Sequence, residues 1–279
     1  DCTARRSLRR PWARQEKLAR TPRSRYSMAP VQSSSAFHQI DAPMIPFIEE
    51  RDYRLIRDLV YQESRINLGD NKQELVAGRI SKRLRRLGMR SFTEYCHFLE
   101  TEGGHQELRN LIDAISTNYT SFFREVKHFE FLKTEILQKL EPPGPRGGVG
   151  KFRVWSAACS SGEEPYSLAI CLAEFFSRRQ GWTWEVEATD ISSRMLASAE
   201  AAIYEKQQVQ LPNPEWLRRH FQRGFNHYDG HYRVKQELRE KVHFHHVNLF
   251  QQQYPFPAGF QVVFCRNVMI YFDRPTQQQ

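Results

Sequence analysis

Phe152-Arg-Val-Trp-Ser-Ala-Ala-Cys-Ser-Ser-Gly-Glu-Glu-Pro-Tyr166 is the stretch that decides the fold. A short apolar run passes through a turn of small residues into a helical pattern carried by Tyr166, Leu168, Ala169, Leu172, Ala173 and Phe176. Small residues after a first strand let a ligand approach the backbone at the carboxyl edge of a sheet. Pro165 suits the first turn of a helix, and the Ser and Glu side chains beside it are able to cap it. No G-x-G-x-x-G is present, so a pyrophosphate cradle is not encoded. From spacing alone, the stretch reads equally as a capped turn that merely packs tightly.

Downstream, Trp184-Glu-Val-Glu-Ala-Thr-Asp190 predicts a second strand ending on an acid, followed by a helix through Met195, Leu196 and Ala199. Val242–Val247 and Phe260–Cys265 predict a third and a fourth strand. Strands alternating with helices indicate an α/β parallel sheet. Residues 205–241 break the alternation. Phe221, Phe225, Tyr228, Tyr232 and Val234, set around Asn226 and Asp229-Gly230, predict a small antiparallel insertion with a hairpin turn.

Upstream, residues 45–140 read as helices. Ile80, Leu84 and Leu87 form an apolar stripe, while Arg79, Lys82, Arg83, Arg86 and Arg90 form a basic one at the same spacing. A long helix is expected over 125–140. The Pro/Gly-rich stretch around Glu141-Pro-Pro-Gly reads as a linker over 141–150. Residues 1–44 show no sustained apolar period and are expected to be a disordered tail. Met28 is a candidate true start, which would make the residues before it an artefact; an Arg-rich presequence is the competing reading.

Composition then excludes several classes. The chain has 279 residues, 41 Lys+Arg against 32 Asp+Glu, and a net charge of +9. Such a balance suggests nucleic acid, yet residues 1–44 hold nine basic residues and three acids, so most of the excess sits in the tail. No apolar run approaches the ~20 residues a membrane helix needs. Five scattered Cys without a CxxC argue against a disulfide scaffold or a zinc knuckle and fit a reducing cytosol. His243, His245 and His246 alternate on a strand and read as strand histidines, so no metal is expected.

Three further constellations bear on a site. Asp190 ends the second strand, where an acid in a Rossmann-like sheet accepts ribose hydroxyls, although it also reads as a helix cap. Cys265-Arg-Asn-Val-Met-Ile-Tyr271 follows the fourth strand, and alone would read as a surface turn. Ser116-Thr-Asn-Tyr-Thr-Ser-Phe-Phe-Arg124 is rich in capping residues and marks a helix start. Together they point to a nucleoside-containing ligand without a pyrophosphate, a description that S-adenosylmethionine meets and NAD meets poorly.

The strings Ser116–Arg124, VWSAACSSGEEPYSL at Val154–Leu168, Ala188–Ile191 and FCRNVMIYFD at Phe264–Asp273 resemble the CheR family of chemotaxis-receptor methyltransferases, in family order from about residue 45 onward. The resemblance implies a Rossmann-like methyltransferase sheet with an N-terminal all-helical domain and a small antiparallel β-subdomain. It implies S-adenosylmethionine-dependent methylation of chemoreceptor glutamates to methyl esters, without a metal. Carried over position by position, it implies cofactor contacts from Asn118, Thr120, Arg124, Glu164, Asp190, Asn248, Leu249, Arg266 and Asn267, with Glu163 beside Glu164 leaving that acid ambiguous. Arg124 and Tyr271 become the candidates for holding the acceptor carboxylate.

The implied partners are methyl-accepting chemotaxis receptors. Arg79, Lys82, Arg83 and Arg86 are candidates for docking an acidic methylation helix, against the plainer reading of a solvated face. Arg223 and Arg233 match positions that bind a receptor's C-terminal pentapeptide by strand addition in some members. The resemblance implies a monomer in the cytoplasm, recruited to membrane receptors, with no nucleic-acid partner. Family members continue beyond a fourth strand, so the chain is expected to be a fragment lacking the last strands. A non-catalytic receptor-binding signalling module with the same fold is the alternative reading.

Overall fold

A computed structural model describes residues 47–142 and 149–278. The tail over 1–44, and most of the linker expected over 141–150, lie outside the described residues. Four helices come first: α1 (Glu50–Ser64), α2 (Gln73–Leu87), α3 (Phe92–Leu99) and α4 (Gly104–Ile115). Their apolar faces close on one another through Tyr53, Ile56, Val60, Ile80, Leu84, Tyr95 and Leu111, all fully buried.

Residues 127–139 are helical but not uniformly so. α5 (Lys127–Phe131) passes into a π turn over Leu132–Ile136 and a 3₁₀ turn over Leu137–Lys139. The single long helix expected over 125–140 therefore starts later and changes pitch. The π turn brings Leu132 and Leu137, five residues apart, into the core together, and a regular α-helix would rotate them apart. Phe122, Phe123, Phe129, Leu132 and Leu137 pack with the sheet and not with α1–α4. The hydrophobic core thus divides between Ile115 and Phe122, well before the linker at which a boundary was expected.

The sheet contains β1 (Gly150–Ala157), β2 (Trp182–Asp190), β6 (Val242–His246) and β7 (Val262–Cys265) in the order β6-β2-β1-β7, all parallel. Val154 aligns with Val186 on one side and Val262 on the other. α6 (Glu163–Phe176) and α7 (Ser193–Ala201) supply the crossovers. Phe152, Val154 and Ser156 are fully buried on one face of β1. On the other face, Arg153 donates to Glu185 (2.7 Å), and Trp155 meets Tyr254, Phe256 and Phe260 edge-on or tilted. His245 lies 2.7 Å from Glu187 of the neighbouring strand, and His246 lies 2.9 Å from the Ile191 carbonyl. A carboxylate partner remote in sequence thus exists for one strand histidine. Among the described residues no cluster of potential metal ligands occurs.

The insertion is a three-stranded antiparallel sheet of β3 (Ile203–Glu205), β4 (Phe221–Arg223) and β5 (His231–Val234), in the order β3-β5-β4. It begins two residues earlier than expected. α8 (Pro214–His220) and α9 (Gln236–Arg239) flank it, and Tyr204, Phe221 and Val234 anchor it in the sheet domain's core. A last short helix, α10 (Arg274–Gln277), follows β7.

The two domains meet through specific bonds at the end of α1. The Tyr61 hydroxyl donates to Asp273 (2.8 Å), Asn248 Nδ2 donates to the Glu63 carbonyl (2.7 Å), and the Asn67 amide donates to the Tyr271 carbonyl (2.8 Å). These bonds hold the α1–α2 connection over the carboxyl edge of the sheet.

Candidate cofactor and acceptor site

At that edge lies a cavity of about 380 Å³, within the few-hundred-Å³ range of small-molecule sites. Each strand end contributes the loop that follows it, as expected for ligands of open parallel sheets. The loop after β1 has Ala158, Ser160 and Gly162 in the left-handed region. Gly162 is required there: a Cβ would meet Ala199 Cβ at 2.8 Å and the Tyr204 hydroxyl at 2.9 Å. Gly162 is also the N-cap of α6, which makes no side-chain cap bond, so the expected Ser or Glu cap is replaced by a glycine turn.

Asp190 sits at the end of β2 and is buried. One carboxylate oxygen accepts the Ser160 amide and the other the Ser192 amide, both at 2.8 Å. Its alternative role as a helix cap is filled by Ser192, whose side chain accepts the Met195 amide. An ionised carboxylate has about four acceptor sites, so each oxygen keeps capacity for a ribose hydroxyl. Burial pushes the Asp190 pKa up, opposed by the two amides.

The neighbouring acids of α6 separate cleanly. Glu164 lines the cavity, accepts Ser156 Oγ (2.8 Å) and pairs with Arg266 Nη1 (3.0 Å). Glu163 turns away and accepts Ser161 Oγ (2.7 Å). Burial raises the pKa of Glu164 despite Ser156 and Arg266. Arg266 also donates through Nη2 to the Arg124 carbonyl (2.6 Å), while its buried Nε has no partner among the described residues. That orphaned donor, the open acceptor capacity of Asp190 and the apolar wall of Ile191, Val247, Leu249 and Phe250 fit a nucleoside whose tail carries a carboxylate.

Asn118, Thr120, Arg124, Asn248, Leu249, Asn267 and Tyr271 line the same cavity. Ten residues singled out from five separate segments thus meet in one place. Ser160 Oγ ties the loop after β1 to the Asn118 carbonyl (2.9 Å). Arg124 donates to the Tyr119 carbonyl (2.9 Å) and stands 5.3 Å from the Tyr119 ring, which is 75% exposed.

The basic stripe of α2 does not survive as a unit. Arg83 is turned inward, where Nε donates to Glu107 Oε1 (2.8 Å) and Nη2 to Oε2. Arg79 donates to the Ile115 carbonyl and to Thr117 Oγ1 (3.1 Å) and lines the cavity. Only Lys82, Arg86 and Arg90 of the stripe stay exposed. The reason is angular: Arg79 and Arg83 are four residues apart on the side facing α4. Arg223 and Arg233 also part company. Gln222 pairs with Arg233 and Arg223 with Tyr232, so the two arginines point to opposite faces of the small sheet. Arg223 is on the edge strand and pairs with Asp229 (3.3 Å).

The sequence reading missed the wall formed by Ser64, Ile66, Leu68 and Lys72. No local signal marks it, because it is created by docking the α1–α2 connection onto the sheet edge.

The fold and cavity define a class: a parallel α/β sheet with a small-molecule cavity at its carboxyl edge and a helical domain closing over it. Residues 118–279 match the family model described as CheR methyltransferase, SAM binding domain, and residues 51–116 match its all-alpha domain. The chemotaxis protein methyltransferase of Salmonella typhimurium is 41% identical over 231 residues, covering 83% of this chain and 77% of that protein. The protein of that name from Borreliella burgdorferi is 41% identical over 225 residues, covering 80% and 78%. Chemotaxis protein methyltransferase 2 of Pseudomonas aeruginosa is 39% identical over 227 residues, covering 81% and 78%. The chain belongs to the CheR methyltransferase family, and its methyl donor is S-adenosylmethionine.

Proposed function

We propose that the protein methylates glutamate side chains of bacterial chemoreceptors, forming glutamate methyl esters. The observation that carries this reading is the convergence of Asp190, Glu164, Arg266, Arg124 and Tyr271 on one cavity. Asp190 would hold the ribose, Asn248 and Leu249 the adenine side, and Asn118, Thr120, Glu164, Arg266 and Asn267 the rest of the cofactor. S-adenosylmethionine supplies an electrophilic methyl group on a sulfonium.

A glutamate carboxylate is already ionised near pH 7, with an ordinary pKa of about 4.3, so no general base is needed. The protein's task is orientation and exclusion of water. Arg124 would grip the acceptor carboxylate by charge-assisted hydrogen bonds, and the Tyr271 hydroxyl would add a further donor. No metal is required for this chemistry.

The acceptor would come from the acidic methylation helices of the receptors, with Lys82 and Arg86 as exposed cations of α2 that favour the encounter. β4 is an edge strand and supports addition of a receptor's C-terminal pentapeptide beside Arg223. A monomer working in the cytoplasm and recruited to membrane receptors accords with this reading. Among the described residues no helix is long and apolar enough to cross a membrane.

Radiolabelled methyl transfer from S-adenosylmethionine to receptor-containing membranes tests it. Base-labile label on the receptor is the expected result, and Arg124→Ala should abolish it while leaving the fold intact. Cofactor binding with no transfer to receptor would favour a signalling module instead. Near-normal transfer by Arg124→Ala would remove Arg124 from the mechanism.

A further inference from the structure

Glu125 follows Arg124 but belongs to none of the roles above, and its side chain lies outside the cavity lining. We propose that Glu125 is a positioning residue whose carboxylate pins the loop after β7 to the loop that carries Arg124, fixing Arg266 and Asn267 for cofactor binding. The proposal rests on the cofactor reading of the cavity.

Its carboxylate is approached from two separate elements. Asn267 Nδ2 donates to Oε1 (3.1 Å) and Arg266 Nη2 lies 3.2 Å from Oε2. His128 Nδ1, at the start of α5, lies 3.3 Å from Oε2. The Arg266 guanidinium is therefore held between Glu164 inside the cavity and Glu125 outside it, with the Arg124 carbonyl as a third anchor. A lone exposed ion pair contributes little, but several donors converging on one carboxylate act as a network.

The backbone gives an independent reason. Phe123, Glu125 and Asn267 all take left-handed conformations, with φ of 53°, 57° and 57°. Non-glycine residues persist there only where surrounding contacts over-determine them. Phe123 is held by burial and by its amide bond to Ser167 Oγ (2.9 Å). Glu125 and Asn267 face each other from two different loops, and the hydrogen bond between their side chains joins those two left-handed positions directly. The bond to Asn267, followed by that to Arg266, lowers the Glu125 pKa.

The test is titration of the full chain with S-adenosylhomocysteine, using wild type, Glu125→Gln, Glu125→Ala, Asn267→Ala and the double Ala variant, with thermal unfolding run on each. Glu125→Ala should weaken binding by about five-fold, the scale of an exposed charge network. Glu125→Gln, which keeps an acceptor for Asn267 and loses the ion pair with Arg266, should fall between Ala and wild type. The two Ala substitutions should be non-additive, because the second removes a tie already cut. Unfolding midpoints should stay together across the set. Wild-type affinity in Glu125→Ala, additive losses, or losses that track the unfolding midpoint would each overturn the positioning role while leaving the cofactor reading intact. A wild-type chain that fails to bind S-adenosylhomocysteine would overturn both.

Discussion

Two glutamates, one buried and one half-buried, each paired with an arginine, show how the same residue types serve opposite ends in this molecule. Glu107 in α4 receives Arg83 through both carboxylate oxygens, the Tyr95 hydroxyl (2.9 Å) and Asn110 Nδ2 (3.0 Å). Glu164 in α6 receives Ser156 Oγ and one nitrogen of Arg266, whose Nε is left without a partner among the described residues. Burial pushes both acids up. At Glu107, Arg83, Asn110 and Tyr95 outweigh it and the pKa falls below the ordinary carboxylate value. At Glu164 burial wins and the pKa rises. A saturated buried pair is a structural cross-link. One that keeps unused donors and acceptors next to a cavity is built to receive something else.

The comparison breaks most visibly if the cross-link is cut. Arg83→Ala strands Glu107 in the helical core and should cost about 3 kcal/mol in urea unfolding, the lower end for breaking a buried pair. Because the folded-state pKa of Glu107 is depressed, its contribution is complete above the unfolded value of about 4.3 and is lost as pH falls through the lower folded value. Wild type should therefore lose stability below about pH 4.3, and Arg83→Ala should lose less over the same interval. Equal acid sensitivity of the two would show that Glu107 is not the cross-link described.

The cavity side should respond in binding first. Asp190→Asn replaces an acceptor facing two amides with a group that offers one of them a donor. S-adenosylhomocysteine affinity should drop about ten- to a hundred-fold, the worth of hydrogen bonds to a charged group. Calorimetry showing unchanged affinity would exclude Asp190 from the site.

The smallest effect belongs to the exposed part of α2. Lys82→Glu with Arg86→Glu should leave stability within about 0.5 kcal/mol, as surface changes do. The rate of receptor methylation should fall several-fold in 0.1 M salt, where the screening length is about 10 Å, and converge with wild type near 1 M, where it is about 3 Å. A rate independent of both charge and salt would return this face to plain solvent.

Much of the site was legible because its parts are local strings. The small-residue turn before α6, the acid closing β2 and the Arg-Asn pair after β7 each occupy the end of a strand that hydrophobic patterning had already located. Parallel strands place such ends on one edge, so Asp190, Glu164 and Arg266 had to be near neighbours. The wall that the α1–α2 connection forms from Ser64 to Lys72 was not legible, since its apolar residues would serve as well inside α1 and α2.

By itself the sequence determined the change from helical to alternating pattern near residue 150 and the antiparallel insertion. These depend on periodicity and on residues close along the chain. Tertiary structure alone decided which of two adjacent acids faces the cavity, since neighbours on a helix diverge by about 100°. It also decided that Arg83 is interior while Arg86 is not, that Arg223 and Arg233 face opposite ways, and that a π turn buries Leu132 with Leu137. The first three of these are settled by a partner on another element: Arg266 for Glu164, Glu107 for Arg83, β5 for β4. Spacing fixes a side chain's face only relative to its own element, and the fold decides what that face meets.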